Sequence, residues 1–150
     1  MTSHRALLRA GFLLVLLAFL TGALIPRFLN PRMGVSAHVT GVLNGLLLIG
    51  LALAWESLRL SPGRGKLVRA LFLYGTYANW AATVLAAAWG TKRLTPVAGA
   101  GFDAPAWQEL VVQVIQVSLA LALLLATALV VWALRPLIAD GAKARQQTGC

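Results

Sequence analysis

The chain has 150 residues, of which 59% are apolar and only 11% are charged, and its mean hydropathy is +0.80. Ordinary soluble domains are about half apolar and about a quarter charged, so this composition excludes a typical water-soluble domain and indicates a membrane protein. The formal charge is +9, but the basic residues lie at the ends of apolar segments and form no continuous basic face. We therefore expect the charge to set membrane topology, and we expect no nucleic acid as a partner.

Four uncharged segments follow one another along the chain. A helix rises ~1.5 Å per residue and the hydrocarbon core is ~30 Å thick, so ~20 residues suffice to cross it. We predict one domain, an all-α integral membrane protein built as a four-transmembrane-helix bundle in the lipid bilayer. Its helices are expected at about residues 7–25, 33–55, 70–89 and 110–134, and residues 136–150 are expected to form a polar, flexible tail. No signal-peptide cleavage pattern follows the first segment, so we expect it to remain as a helix.

Lysine and arginine are distributed unevenly between the two ends of these segments. Nine of the 13 lie before the first segment, in the second connection or after the fourth segment. The other four, Arg27, Arg32, Lys92 and Arg93, lie in the first and third connections. The positive-inside rule then predicts that both termini are cytoplasmic.

The second segment contains His38 and Asn44 within "SAHVTGVLNG". An ionisable residue inside a membrane span is a functional candidate by default, and imidazole is a common ligand of metals and haem. A structural hydrogen bond is the alternative role for His38. The two residues are six apart and therefore point ~120° apart on a helix. One compact pocket would have difficulty using both, so we predict a site built between the subunits of an oligomer.

The third and fourth segments also carry polar residues. Asn79 lies near the middle of the third segment, among Thr76, Tyr77, Trp80 and Thr83. The fourth segment begins with a stripe of polar residues, which are Glu109, Gln113 and Gln116. Each has a structural alternative, because amides in membrane helices often join helices by hydrogen bonds worth ~1 kcal/mol and aromatic side chains fill volume. Ala37, Gly41 and Gly45 repeat at four-residue intervals, which favours close helix packing.

Three stretches, "NPRMGVSAHVTGVLNGLLLIGLALAW", "LYGTYANWAATVLAAAWG" and "PVAGAG…AWQE", together resemble the hydroxylaminobenzene mutase family. The likeness covers nearly all of residues 5–135. Members of that family convert an arylhydroxylamine to a 2-aminophenol. The resemblance therefore implies an isomerase of nitroaromatic degradation that takes a small aromatic hydroxylamine as substrate. It also implies a multi-pass protein of the bacterial inner (cell) membrane.

The pattern "AHxxGxxNG" is also similar to the second helix of styrene oxide isomerase, a trimeric membrane enzyme that carries haem b between subunits. This likeness implies a homotrimer with haem b, in which His38 is the axial iron ligand and Asn44 contacts the substrate. Asn79 matches an asparagine of that enzyme. Thr83 stands where that enzyme has a tyrosine, and this difference favours the mutase reaction over epoxide isomerisation.

These resemblances lead to a set of expected roles. Ferric haem would act as a Lewis acid on the hydroxylamine oxygen, Asn44 and Asn79 would orient the N–OH group, and Tyr77 or Trp80 would stack on the ring, with Thr83 close by. Glu109 is the alternative general acid if no metal takes part, and a helix-start residue otherwise.

Several other functions are alternatives to this one. An epoxide isomerase and a haem electron-transfer subunit remain the alternatives, although the second histidine, His4, lies at the opposite end of the membrane from His38. A multidrug exporter would need an acid in the first helix, which has none. A purely structural membrane scaffold would not explain why the second segment contains His38.

Overall fold

The computed structural model describes residues 3–134, which form four helices joined by short connections. The helices are α1 (Ser3–Ala23), α2 (Pro31–Ala54), α3 (Pro62–Trp89) and α4 (Ala106–Ala133), with single 3₁₀ turns at Ile25–Arg27 and Trp55–Ser57. Between residues 3 and 134 there is no strand, so the all-α prediction is confirmed. The predicted tail, residues 136–150, lies outside the described residues.

Two helix ends differ from the expected bounds. α3 begins at Pro62, eight residues before the uncharged segment, and runs through Arg64, Lys66 and Arg69. Proline suits the first turn of a helix, and Lys and Arg are good helix formers although they are unsuited to hydrocarbon. The helix α3 therefore begins before the third uncharged segment does. α1 ends at Ala23 and not at residue 25, since a 3₁₀ turn that contains Pro26 follows it.

Three helical segments are long and apolar enough to cross a membrane, namely His4–Ala23, Pro31–Ser57 and Ala106–Ala133. Large apolar side chains such as Phe12, Leu43 and Leu124 are exposed on these three helices, which suits contact with lipid and not with water. These three helical segments support the prediction of a membrane protein. α3 is as long as α4 but carries more polar residues, and its crossing of the membrane stays a prediction.

The helices pack in chain order. α1 lies tightly against α2, because a Cβ atom on Gly11 would come within 2.8 Å of the Gly45 carbonyl oxygen, and one on Gly45 within 2.8 Å of the Gly11 oxygen. α3 packs on α2, and α4 packs on α3, where Gly75 accommodates Leu123. α1 touches α3 only lightly, and α4 makes no substantial contact with α1 or α2. The arrangement leaves a groove between α1 and α3.

Buried Asn30 holds together the end of the molecule where α2 begins. Its side chain accepts a hydrogen bond from the Met33 backbone N–H (3.2 Å) and donates one to the Ala98 carbonyl (2.8 Å). Its own backbone N–H donates to the Ala87 carbonyl at the end of α3 (2.9 Å). One N-cap residue thus joins the start of α2 to α3 and to the third connection.

Candidate functional site

His38 lies where α1 and α2 meet, and it is partly buried. Its Nδ1 atom is 2.8 Å from the backbone carbonyl oxygen of Ala18 on α1. A carbonyl oxygen only accepts hydrogen bonds, so Nδ1 is the protonated nitrogen of the ring. In the neutral imidazole, Nε2 then carries the lone pair. Histidines that bind metals are typically oriented in this way, with the second ring nitrogen donating to a carbonyl or carboxylate.

Two further α1 residues fit the imidazole closely. A Cβ atom added to Gly22 would lie 2.8 Å from Nδ1 and 3.1 Å from Cε1 of His38, so only glycine leaves room for the ring in this position. The Phe19 ring lies beside it, with 6.0 Å between ring centroids, and Phe19 is 58% exposed. The histidine is therefore held from the α1 side and lies next to an apolar outer surface.

Asn44 faces a different neighbour. It is 8% exposed, and its Nδ2 donates a hydrogen bond of 3.3 Å to the Thr76 carbonyl oxygen on α3. The Thr76 hydroxyl donates to the Phe72 carbonyl at 2.7 Å. Asn44 Oδ1 receives no hydrogen bond from another described residue, so it is available to accept one from a ligand. His38 and Asn44 thus lie on separate surfaces of α2, as their six-residue spacing predicts.

Asn79 lies on α3 between the positions that contact α2 and α4. It follows Thr76, which contacts α2, by three residues, and Gly75, which contacts α4, by four. Asn79 is therefore ~60° from Thr76 and ~40° from Gly75 around the helix, between the two neighbours. Thr83, buried one turn further along, donates its hydroxyl to the Asn79 and Trp80 carbonyls (2.9 and 2.8 Å).

The two aromatic candidates make contacts on the other side of α3. Trp80 donates its Nε1–H to the Thr21 hydroxyl at 3.1 Å, and its ring packs against Gly41. Tyr77 donates its hydroxyl to the Ala10 carbonyl at 2.8 Å, in the groove between α1 and α3. Both polar atoms are engaged with α1, so these two side chains offer ring surfaces and join helices.

Glu109 lies at the start of α4, where it binds the third connection. It is 7% exposed, and its two carboxylate oxygens accept hydrogen bonds from the backbone N–H groups of Lys92 (2.8 Å) and Arg93 (3.1 Å). Gln113, one turn later, accepts a hydrogen bond from the Arg93 guanidinium at 3.2 Å. This arrangement favours a structural role for Glu109, which fixes the third connection against α4.

The sequence did not single out several residues that shape this region. The Ala18 carbonyl gives no side-chain signal, and Thr21 and Gly22 occur in an apolar segment without a motif.

Gln116, the last residue of the polar stripe on α4, is partly buried, and its side chain has no hydrogen-bonding partner among residues 3–134. It precedes Leu123 by seven residues and so shares its face, ~20° away, next to α3. No group of three or more His, Cys, Asp or Glu side chains that could hold a metal ion occurs within the described residues.

Comparison with known proteins identifies the family of this chain. The family described as Styrene oxide isomerase matches residues 3–135. Hydroxylaminobenzene mutase HabB of Ectopseudomonas oleovorans is 46% identical over 132 residues, covering 87% of this chain and 80% of the relative. Hydroxylaminobenzene mutase HabA of the same organism is 41% identical over 114 residues, covering 75% of this chain and 84% of the relative. No solved structure matches the chain. The chain therefore belongs to the styrene oxide isomerase family, in the same group as the hydroxylaminobenzene mutases, and it is an isomerase.

Proposed function

We propose that this isomerase rearranges hydroxylaminobenzene, or a close arylhydroxylamine, to a 2-aminophenol. In this reaction the N–O bond breaks and a C–O bond forms at the ortho carbon. The ortho carbon loses a proton and the nitrogen gains one, so substrate and product have the same composition and oxidation level. The two mutase relatives support this substrate, and the environment of His38 is the observation that carries the mechanism.

The second part of the proposal is that His38 would hold a haem b through its Nε2 atom. The donor set fits this group, because the Ala18 carbonyl holds the proton on Nδ1 and leaves Nε2 as an electron-pair donor. Ferric haem bound there would supply a Lewis acid for the hydroxylamine oxygen, where negative charge develops as the N–O bond breaks.

The protein's own residues would bind and orient the substrate. Asn44 Oδ1 is free to accept a hydrogen bond from the N–OH group while Nδ2 holds α3, and Asn79 presents a second amide without a described partner. The rings of Trp80 and Tyr77 are suited to apolar contact, since their polar atoms already bond to α1. Apolar surroundings would exclude bulk water, which otherwise competes for the ring and gives the para product.

The separation of His38 from Asn44 supports an oligomeric site. His38 is held against α1 and Asn44 against α3, so each copy would contribute His38 to one site and its asparagines to another. We propose a homotrimer on this basis. Its four helices would all cross the bacterial inner membrane, with both termini in the cytoplasm as the distribution of lysine and arginine predicts.

The test begins with the absorption spectrum of protein purified in detergent, followed by addition of hydroxylaminobenzene to the same sample. We expect a Soret band and formation of 2-aminophenol. Replacing His38 with alanine should abolish both, whereas His4→Ala, which removes the other histidine, should leave both unchanged. Normal product formation by wild-type protein without haem would refute the haem mechanism but retain the mutase.

An epoxide isomerase is the second candidate, because the matching family is described by that reaction. Thr83 argues against it, since its hydroxyl is committed to two carbonyls of its own helix. Adding styrene oxide to the same sample distinguishes the two reactions by their products.

A further inference from the structure

The groove between α1 and α3 has no role in the proposed reaction other than through the ring of Tyr77. It has a volume of about 660 Å³, and its α1 side is formed by Ala6, Arg9, Ala10 and Leu13. Leu73 and Tyr77 form the α3 side. The Tyr77–Ala10 hydrogen bond crosses between the two helices. The groove is therefore apolar along its length and has one cation in its wall.

Arg9 is joined by Arg5 at the end of the groove where α1 begins. The two residues are four apart, so they point ~40° apart and lie ~6 Å from each other along the helix. Both are exposed, and neither forms an ion pair or side-chain hydrogen bond with another described residue. The acids of the described chain lie elsewhere: Asp103 pairs with Lys92, Glu109 binds backbone N–H groups, and Glu56 follows α2.

An apolar groove that ends in two cations without an ion-pair partner among residues 3–134 matches the shape and charge of an anionic phospholipid. We propose that this groove binds one such lipid, with an acyl chain along Leu13 and Leu73 and the phosphate at Arg5 and Arg9. Juxtamembrane cations attract anionic headgroups in this way, and the apolar lining gives the chain a contact surface. The lipid would bridge α1 and α3, which otherwise touch only lightly.

The charge requirement is tested with the full chain in vesicles of phosphatidylcholine, alone or mixed with phosphatidylglycerol. Native mass spectrometry counts the lipids retained per chain, and thermal unfolding measures their effect on stability. Each cation is expected to contribute about fivefold to anionic-lipid binding, so the double variant Arg5→Gln/Arg9→Gln should bind phosphatidylglycerol about twenty-five-fold more weakly. The matched control, Arg27→Gln/Arg59→Gln, removes the same charge from exposed connections and should bind like wild type.

The groove itself is tested by filling it. Ala6→Trp should displace the lipid, whereas Ala54→Trp, at an exposed position outside the groove, should not. Equal phosphatidylglycerol retention by wild type and by the Arg5/Arg9 double variant would overturn the proposal. So would an Ala6→Trp variant that changes the number of chains in the assembly and not the number of bound lipids, because the groove would then be an interface between copies. The arginine variants alter exposed side chains, so they remain informative if Ala6→Trp does not fold.

Discussion

Replacing Gly22 with alanine tests the orientation of His38 without touching the histidine itself. The new Cβ would lie 2.8 Å from Nδ1 and 3.3 Å from Cγ of the ring, closer than ordinary van der Waals contact. The imidazole would have to move by roughly half an ångström, away from a carbonyl oxygen only 2.8 Å from Nδ1. The expected result is a ring that loses its orienting hydrogen bond.

The magnitude follows from comparable changes around metal ligands. Loss of the partner that orients a ligating histidine costs about 10- to 100-fold in metal affinity, and overpacking costs about 1–3 kcal/mol of stability. We therefore expect Gly22→Ala to bind haem about 10- to 100-fold more weakly, with an altered Soret spectrum. Gly50→Ala is the matched control, since a Cβ there meets nothing within 4 Å.

Two measurements check this prediction. Haem titration followed by absorbance gives the affinity, and ¹⁵N NMR of histidine-labelled protein reports which ring nitrogen of His38 carries the proton, whether or not haem is present. Wild-type affinity together with an unchanged Nδ1–H tautomer in Gly22→Ala would refute the reasoning, because the ring would then tolerate the methyl group without losing its hydrogen bond.

Three further changes test other parts of the structure. Glu109→Ala should destabilise the protein by about 2 kcal/mol, because the N–H groups of Lys92 and Arg93 lose their acceptors. Glu109→Gln should still form 2-aminophenol. If this variant lost activity at an unchanged unfolding temperature, Glu109 would instead be identified as the acid. Asn79→Leu should lower kcat/KM about three- to tenfold, the value of one neutral hydrogen bond, because Asn79 is proposed to orient the N–OH group; an unaltered kcat/KM in steady-state assays would contradict that contact. Gly45→Ala should lower stability by about 1–3 kcal/mol, because its Cβ would meet a carbonyl oxygen at 2.8 Å, and equal denaturant midpoints for variant and wild type would show that α1 and α2 separate at little cost.

The sequence was sufficient to predict that the chain forms four helices and that His38 and Asn44 point in different directions from α2. Apolar length determines how many helices can cross a membrane, and the six-residue spacing of His38 and Asn44 determines that they face different neighbours. Periodicity along one helix could not predict which helix each residue faces. It also gave no indication that α3 is the helix against which α4 mainly packs, because that depends on where small residues such as Gly75 meet side chains from another helix.

The environment of Glu109 shows a different limit. Its position at the start of α4 was compatible with a general acid and with a helix-start residue. The structure places both oxygens on backbone N–H groups of the third connection. Those donors have no side-chain signature, so the sequence could not identify them.

The acceptor that orients His38 is a main-chain atom, and this affects how the site can change during evolution. Any amino acid at position 18 supplies the same carbonyl oxygen, so substitutions there preserve the orientation provided that they fit between the helices. The constraint falls instead on residues that let α1 and α2 approach, above all Gly11, Gly22 and Gly45. Among related proteins, the orientation of the histidine should therefore depend on small residues at these α1–α2 contacts.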